Sequence, residues 1–396
     1  MKKITVLLLI LWASVSVKAQ ESVCIKLDSL LRDPMFETSH VGLMVYDLTA
    51  DTLFFAYQHR HLLRPASTMK LVTAITALDQ LGGDYKYHTD IYYTGSIKDS
   101  TLIGDIYCVG GFDPCLTTTD VNSVAFYIAQ LGVNTISGRI IADCSMKEDL
   151  DFGEGWCWDD DNPVLKPLTI GRKYIFTEQL RKSLVTNGVA VDGVTLGEGL
   201  LPKDAHIVCR CQHDIDKVLE QMMKNSDNFY AESMFYQTAA STGRRPAKAS
   251  DARGVTKKLI GKLGLGEGRY KIADGSGLSL YNYVSAELLC RLLRYAWRSP
   301  SIRSHLVPAL PVAGIDGTLK DRMKKTAAAG NVRAKTGTLT GISSLAGYCT
   351  AANGHDLCFA IINQGIMNTP TGKSFQDRVC VVLCEPNDKD NQTTKK

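Results

Sequence analysis

The segment from residue 67 to 81 constrains this chain more than any other, because it joins a helical apolar face to a nucleophile and a base. Pro65 stands just ahead of it, and Leu71, Ala74, Ile75, Leu78 and Leu81 recur at the spacing of one helix face. Gly82-Gly83 supplies the stop. The spacing therefore predicts a helix over 67–81 with one apolar side. Its first turn carries Ser67-Thr68-Met69-Lys70, which puts a hydroxyl and an amine three residues apart, within reach of each other. A serine is a poor nucleophile until a neighbouring base takes its proton. Lysine can be that base only when burial or a second cation lowers its pKa. Taken alone the match is weak, since chance supplies about one Ser-x-x-Lys in a chain of this length, and by itself it reads better as an ordinary surface helix start.

Two further short motifs follow in order. Ser226-Asp227-Asn228 lies between a helix expected to end near Lys224 and one expected to begin at Phe229. By itself it reads as a helix cap, the place these residue types favour. Lys335-Thr336-Gly337 follows Val332-Arg333-Ala334 in an expected strand, and by itself reads as a strand end with a glycine bulge. Around them, residues 41–57 and 331–364 are strand-rich, while 67–81 and 214–241 are helical in pattern. Residues 88–208 are rich in β-branched residues and Gly/Asp turns, and read as a mostly β insertion. The expected organisation is one discontinuous domain, 20–87 with 209–384, interrupted by the 88–208 insertion. A polar tail, 385–396, lacks apolar residues and is expected to be disordered.

Met1-Lys2-Lys3, the apolar run Ile4 to Val15 and Val17-Lys18-Ala19 have the three regions of a Sec signal peptide, cleaved before Gln20. The run is too short to cross a bilayer. Cys24 lies too far past the cleavage point to make a lipoprotein anchor. A periplasmic or secreted protein is expected, with no integral membrane span after cleavage. Loss of Lys2, Lys3 and Lys18 takes the formal charge from +4 to +1, which leaves no electrostatic footprint for nucleic acid. Export permits disulfides among the 12 cysteines. None has zinc-ligand spacing, so no metal is expected. The stretch Ala346 to Ile361 reads as a hairpin about Asn353-Gly354, in which counting outward sets Cys349 opposite Cys358. That leaves open a disulfide or two reduced apolar neighbours.

The three motifs, in this order, are the signature shared by penicillin-binding proteins and class A β-lactamases. The chain resembles the D-alanyl-D-alanine carboxypeptidase/endopeptidase group of low-molecular-mass penicillin-binding proteins over about residues 40 to 380. Gly104-Asp105-Ile106-Tyr107-Cys108-Val109-Gly110-Gly111-Phe112-Asp113-Pro114 is similar to that group's Gly-Asp-Leu-x-x-x-Gly-x-Gly-Asp-Pro stretch. Trp156-Cys157-Trp158-Asp159-Asp160, Asp274-Gly275-Ser276-Gly277-Leu278-Ser279, and Gly317-Thr318-Leu319 with Arg322 resemble further segments. Phe112 departs from the pattern, standing where glycine is expected. Ser67 and Ser226 stand 159 positions apart, room for one of the two inserted domains that larger members carry.

The resemblance implies an α/β (α+β) core, an antiparallel sheet flanked by helices, with the site along one sheet edge. It implies that Ser67 attacks the carbonyl of the penultimate D-Ala of peptidoglycan stem peptides. Lys70 would be its base, held neutral partly by the cation of Lys335. Ser226 would pass a proton to the leaving amine, and Asn228 would hold Lys70 or the substrate backbone. Lys335, Thr336, Gly337 and Thr338 would receive the substrate, with its carboxylate on Lys335 and the hydroxyls of Thr336 and Thr338. The backbone N–H groups of Ser67 and Thr338 would form the oxyanion hole. No cofactor or metal is implied, and β-lactam antibiotics are expected as covalent inhibitors. Two other readings compete. A class A β-lactamase needs a glutamate in a Glu-x-x-Leu-Asn context to activate the deacylating water, and Glu232, Glu267 and Glu287 lack it. A catalytically inactive binding module would be expected to have lost one of the motif residues. A Ser-His-Asp hydrolase has little support, since His59 and His61 read as solvated loop residues and no Gly-x-Ser-x-Gly elbow occurs.

Overall fold

The computed structural model describes residues 21–160, 162 and 164–386. Residues 1–19, read from the sequence as a signal peptide, and most of the polar tail lie outside the described residues.

Two ends of the chain build the main sheet. Its order is Arg333–Leu339, Ile342–Thr350, Asp356–Gln364, His40–Asp47, Thr52–Tyr57, every neighbouring pair antiparallel. The middle strands are nearly continuous apolar runs because both faces are covered. On one face Leu43, Val45, Leu345, Phe359 and Ile361 pack with Phe375, Val379 and Leu383 of the terminal helix Thr369–Cys384. On the other, Met44, Ala346, Ala360 and Ile362 pack with the helices Met69–Leu81 and Ala286–Arg298. Helices thus flank an antiparallel sheet, as expected.

The helix expected over 67–81 has a tighter start. A 3-10 turn, Ala66–Thr68, leads into the α-helix Met69–Leu81, which stops at Gly82 with φ +83°. It is buried on every side from Met69 to Leu78, not along one stripe. Sheet, helix Ala286–Arg298 and helix Asn228–Ala240 enclose it, so Lys70 and Thr73 lie inside the protein with Leu71 and Ile75.

A second sheet has the order His206–Asp214, Lys86–Tyr93, Ile106–Val109, Arg139–Asp143, Thr195–Glu198. Its first two pairings are antiparallel and its last two parallel. The stretch read as mostly strand also contains two helices, Thr118–Gln130 and Phe176–Thr186, on this sheet. Val121, Val124, Ala125 and Ile128 give the first its 3.6-residue spacing, and Thr117 with Asp120 forms its capping box. The chain enters this layer by Lys86–Tyr93 and leaves by His206–Asp214, and these two strands pair side by side.

The hairpin expected at Asn353-Gly354 closes one residue differently. Thr350 faces Asp356 and Ala351 N–H donates to His355 O, so the loop holds three residues, with Gly354 at φ +81°. Three-residue hairpins place glycine in that left-handed position. A one-residue slip sends side chains to opposite faces. Cys349 therefore faces Leu357 and lies with Cys380 and Cys384, while Cys358 lies on the other face near Cys290. All 12 cysteines are free thiols, so Cys349 and Cys358 are neither bonded nor paired.

Phe112 has φ +56°, which accounts for the expected glycine. Its ring is buried against Phe229 and Tyr236, and its carbonyl accepts from Ser233 Oγ at 2.6 Å. Left-handed backbone costs a non-glycine residue about 1–2 kcal/mol, whereas truncating a buried Phe costs about 3–5 kcal/mol. Packing wins, so Phe112→Gly is expected to destabilise the protein by about 2 kcal/mol. Urea denaturation checks it.

Candidate active site

Three segments meet at the edge of the main sheet where the strand Arg333–Leu339 passes the Ser67 turn. Gly337 makes the approach possible, because a Cβ there would lie 2.2 Å from Ser344 Oγ, 2.8 Å from Pro65 O and 2.9 Å from Ser67 N. Only glycine fits, and the expected strand-end bulge is instead a point of contact. Gly277 does the same on the other side, where a Cβ at φ +83° would come 2.0 Å from Ala66 O. Ala66 itself takes φ +47°, directly before the serine. Ser67 is half-exposed, and Lys70 beneath it is fully buried.

Lys70 Nζ has three partners: Ser67 Oγ at 3.0 Å, Asn228 Oδ1 at 2.7 Å and Ser276 O at 2.8 Å. An ammonium donates to all three. A neutral amine keeps two N–H groups for the two carbonyl oxygens, which can only accept. Its lone pair then falls to Ser67, the one partner with a proton to give. The geometry selects the serine. Burial pulls the Lys70 pKa down to about 8, against the opposing charges of Asp274, Glu232 and Asp227. Burial is the main cause, and Lys335, credited from the sequence with part of the lowering, is itself held well below its ordinary value by burial and then by repulsion from Lys70. That repulsion acts on both amines.

Asn228 reaches Lys70 from the first turn of the helix Asn228–Ala240. Asp227 is the cap, its side chain accepting from Phe229 N at 2.9 Å, so capping and site geometry coexist in one tripeptide. Ser226 precedes it at φ +59°, a left-handed conformation for a non-glycine residue, of the kind found where a site dictates the backbone. Its Oγ accepts from Lys335 Nζ at 2.8 Å, and Lys335 also donates to Thr336 O. Thr336 Oγ1 meets Thr318 Oγ1 at 2.8 Å, bringing in the Gly317–Leu319 turn, while Thr338 is exposed one step along the strand. All eight expected residues, Ser67, Lys70, Ser226, Asn228, Lys335, Thr336, Gly337 and Thr338, converge on this edge. Arg322 does not; it braces the terminal helix through Asp377 at 2.7 Å.

Sequence reasoning gave no role to the support behind them. Asp274 is buried and accepts from Gly277 N, Ser279 N, Asn282 Nδ2 and Trp156 Nε1, all within 2.7–2.8 Å. It folds its loop so that the Ser276 carbonyl points at Lys70. Asn162 Oδ1 accepts from Asn228 Nδ2 at 3.1 Å, so the Trp156–Asn162 segment touches the site twice. Trp156 and Asp274 fall within segments that carry the family resemblance, and Asn162 lies just beyond the first of them. No group of three or more potential metal-ligating side chains occurs among the described residues.

A model of the D-Ala-D-Ala carboxypeptidase 3 (S13) family matches residues 23–168 and 171–385. The chain belongs to this family. It is 27% identical to a D-alanyl-D-alanine carboxypeptidase of Actinomadura sp. (strain R39), across 91% of this chain and 84% of that one. Its fold is similar to the crystal structure of penicillin-binding protein 4 from Haemophilus influenzae, with a TM-score of 0.80 and 22% identity over 91% of this chain and 97% of that one. The same Haemophilus protein complexed with a β-lactam matches with a TM-score of 0.75 and 22% identity, covering 93% of this chain and 99% of that one. As an S13 member the chain is a serine peptidase. Among the described residues no helix is long and apolar enough to cross a membrane.

Proposed function

We propose that this S13 peptidase is a D-Ala-D-Ala carboxypeptidase/endopeptidase of peptidoglycan, working through an acyl-enzyme on Ser67. The observation that carries the reading is the single amine of Lys70 held between Ser67 Oγ and two carbonyl acceptors. In this reading Ser67 Oγ attacks the penultimate D-Ala carbonyl as its proton passes to Lys70. The oxyanion forms between the backbone N–H groups of Ser67 and Thr338. The C–N bond then breaks as Ser226, bridged to Lys335, hands its proton to the departing amine and takes the Lys70 proton in return, which restores the neutral lysine. Water attacks the ester in the second half, giving a proton to Lys70, which passes it to Ser67 Oγ as the ester bond breaks. Lys335, Thr336 and Thr338 hold the substrate carboxylate, and Gly337 keeps the strand close enough to Ser67 for both ends of the substrate to be reached.

The strand pair Lys86–Tyr93 and His206–Asp214 supports a separate lobe inserted at 88–208, since entry and exit lie side by side. The basic, apolar and small-residue run of 1–19 supports export to the periplasm or beyond, where cell-wall peptides are found. Terminal-residue release and cross-link cleavage share this acylation chemistry. Incubation with muropeptide monomers and cross-linked dimers, products identified by mass, is expected to yield free D-alanine, monomers or both. Unchanged substrates from folded protein would overturn the reading.

A further inference from the structure

Behind Lys70 lies a carboxyl that none of the three motifs uses. Glu232 sits four residues after Asn228 on the same helix, so the two share a face. It is fully buried, a costly placement unless its oxygens are engaged. Oε1 accepts from Ser276 N at 2.7 Å and Gly275 N at 3.0 Å, and Oε2 lies 3.2 Å from Gly275 N. On the other side of this peptide, Ser276 O accepts from Lys70 and Gly275 O accepts from Thr73 Oγ1 at 2.6 Å. Glu232 therefore clamps the Gly275-Ser276 backbone onto the Ser67 helix.

We propose that Glu232 is a positioning residue for Lys70: its carboxylate fixes the Ser276 carbonyl on the amine, and its charge sets the pH above which Lys70 can take the Ser67 proton. This rests on the reading of Lys70 as base. The charged groups facing Lys70 are Glu232 and Asp227 from the Asn228 helix and its cap, Asp274 from the loop, and Lys335 from the sheet edge. Burial, then Asp274, pushes Glu232 up to about 8, against its hydrogen bonds from Ser276 and Gly275. Lys70 comes down to about 8. The two groups therefore ionise over one pH range, and each influences the other.

The sign is definite. A negative carboxylate favours the lysine cation, so its removal lets Lys70 deprotonate at lower pH. The test is the pH profile of acylation by a labelled penicillin for wild type, Glu232→Gln and Glu232→Asp, with folding followed by circular dichroism. In Glu232→Gln the midpoint of the rising limb is expected to fall by about one unit. Glu232→Asp keeps the charge, so its midpoint stays, but the shorter side chain loosens the clamp and the plateau falls about tenfold or more. A wild-type midpoint in folded Glu232→Gln would overturn the proposal. Should Glu232→Gln not fold, Glu232→Asp decides alone: a lowered plateau at the wild-type midpoint supports the proposal, and a wild-type plateau overturns it. Absence of acylation in the wild type would overturn the reading of Ser67 instead.

Discussion

Incubated with penicillin, the protein is expected to gain the mass of one penicillin, on the peptide carrying Ser67, and Ser67→Ala is expected to gain none. A β-lactam ring presents a strained amide where the D-Ala-D-Ala carbonyl would lie, with its carboxylate towards Lys335 and Thr336. Attack by Ser67 Oγ forms the ester and opens the C–N bond, but the amine stays tethered and shields the ester from water. Fast release needs a carboxylate free to activate that water. Glu232 is not free, since both its oxygens face the backbone of Gly275 and Ser276. The adduct should therefore outlast the time needed for intact-protein mass spectrometry. Rapid turnover without an accumulating adduct would favour the β-lactamase reading, and no reaction in folded protein the inactive module.

What could be read beforehand follows from how local each signal is. Ser67, Lys70, Ser226, Asn228 and Lys335 sit in three-to-four-residue patterns, and a pattern survives without knowledge of its surroundings. The strand-rich ends of the main sheet and the helix after Ser67 were legible in local patterns. The antiparallel sheet flanked by helices was implied by the resemblance, and the helices Ala286–Arg298 and Thr369–Cys384 were not read beforehand. Glu232, Trp156 and Asn162 act through contacts 43 to 118 positions apart in the chain, which no local spacing encodes. The Cys349–Cys358 pairing failed on a single loop residue: Asn-Gly reads as a two-residue turn, but the chain places Gly354 last in a three-residue one. The all-round burial of the Ser67 helix was hidden by Thr73, Thr76 and Lys70, polar residues that a one-face pattern assigns to solvent. That burial accounts for the chemistry. Burial or a second cation could account for a neutral lysine, and the fold supplies desolvation as the larger cause.

Lys70→Arg is expected to cut the rate of acylation by about a hundredfold to ten-thousandfold, the span general-base catalysis contributes. Arginine keeps the positive charge and can still donate towards Asn228 Oδ1 and Ser276 O. Its guanidinium cannot give up a proton in a protein, so it never offers Ser67 a lone pair. The larger head also has to fit where Lys70 is fully enclosed, so thermal unfolding of the variant serves as the control for lost packing. The pH dependence separates the two causes. In the wild type, acylation should rise as pH passes through about 8, where the buried amine loses its proton. In Lys70→Arg the residual rate should be flat over that range, because the titrating base is gone and the permanent cation beside Glu232 keeps that carboxyl ionised. A slow variant that kept the wild-type rise would place the base elsewhere, and near-normal acylation by a labelled penicillin would end the neutral-lysine mechanism altogether.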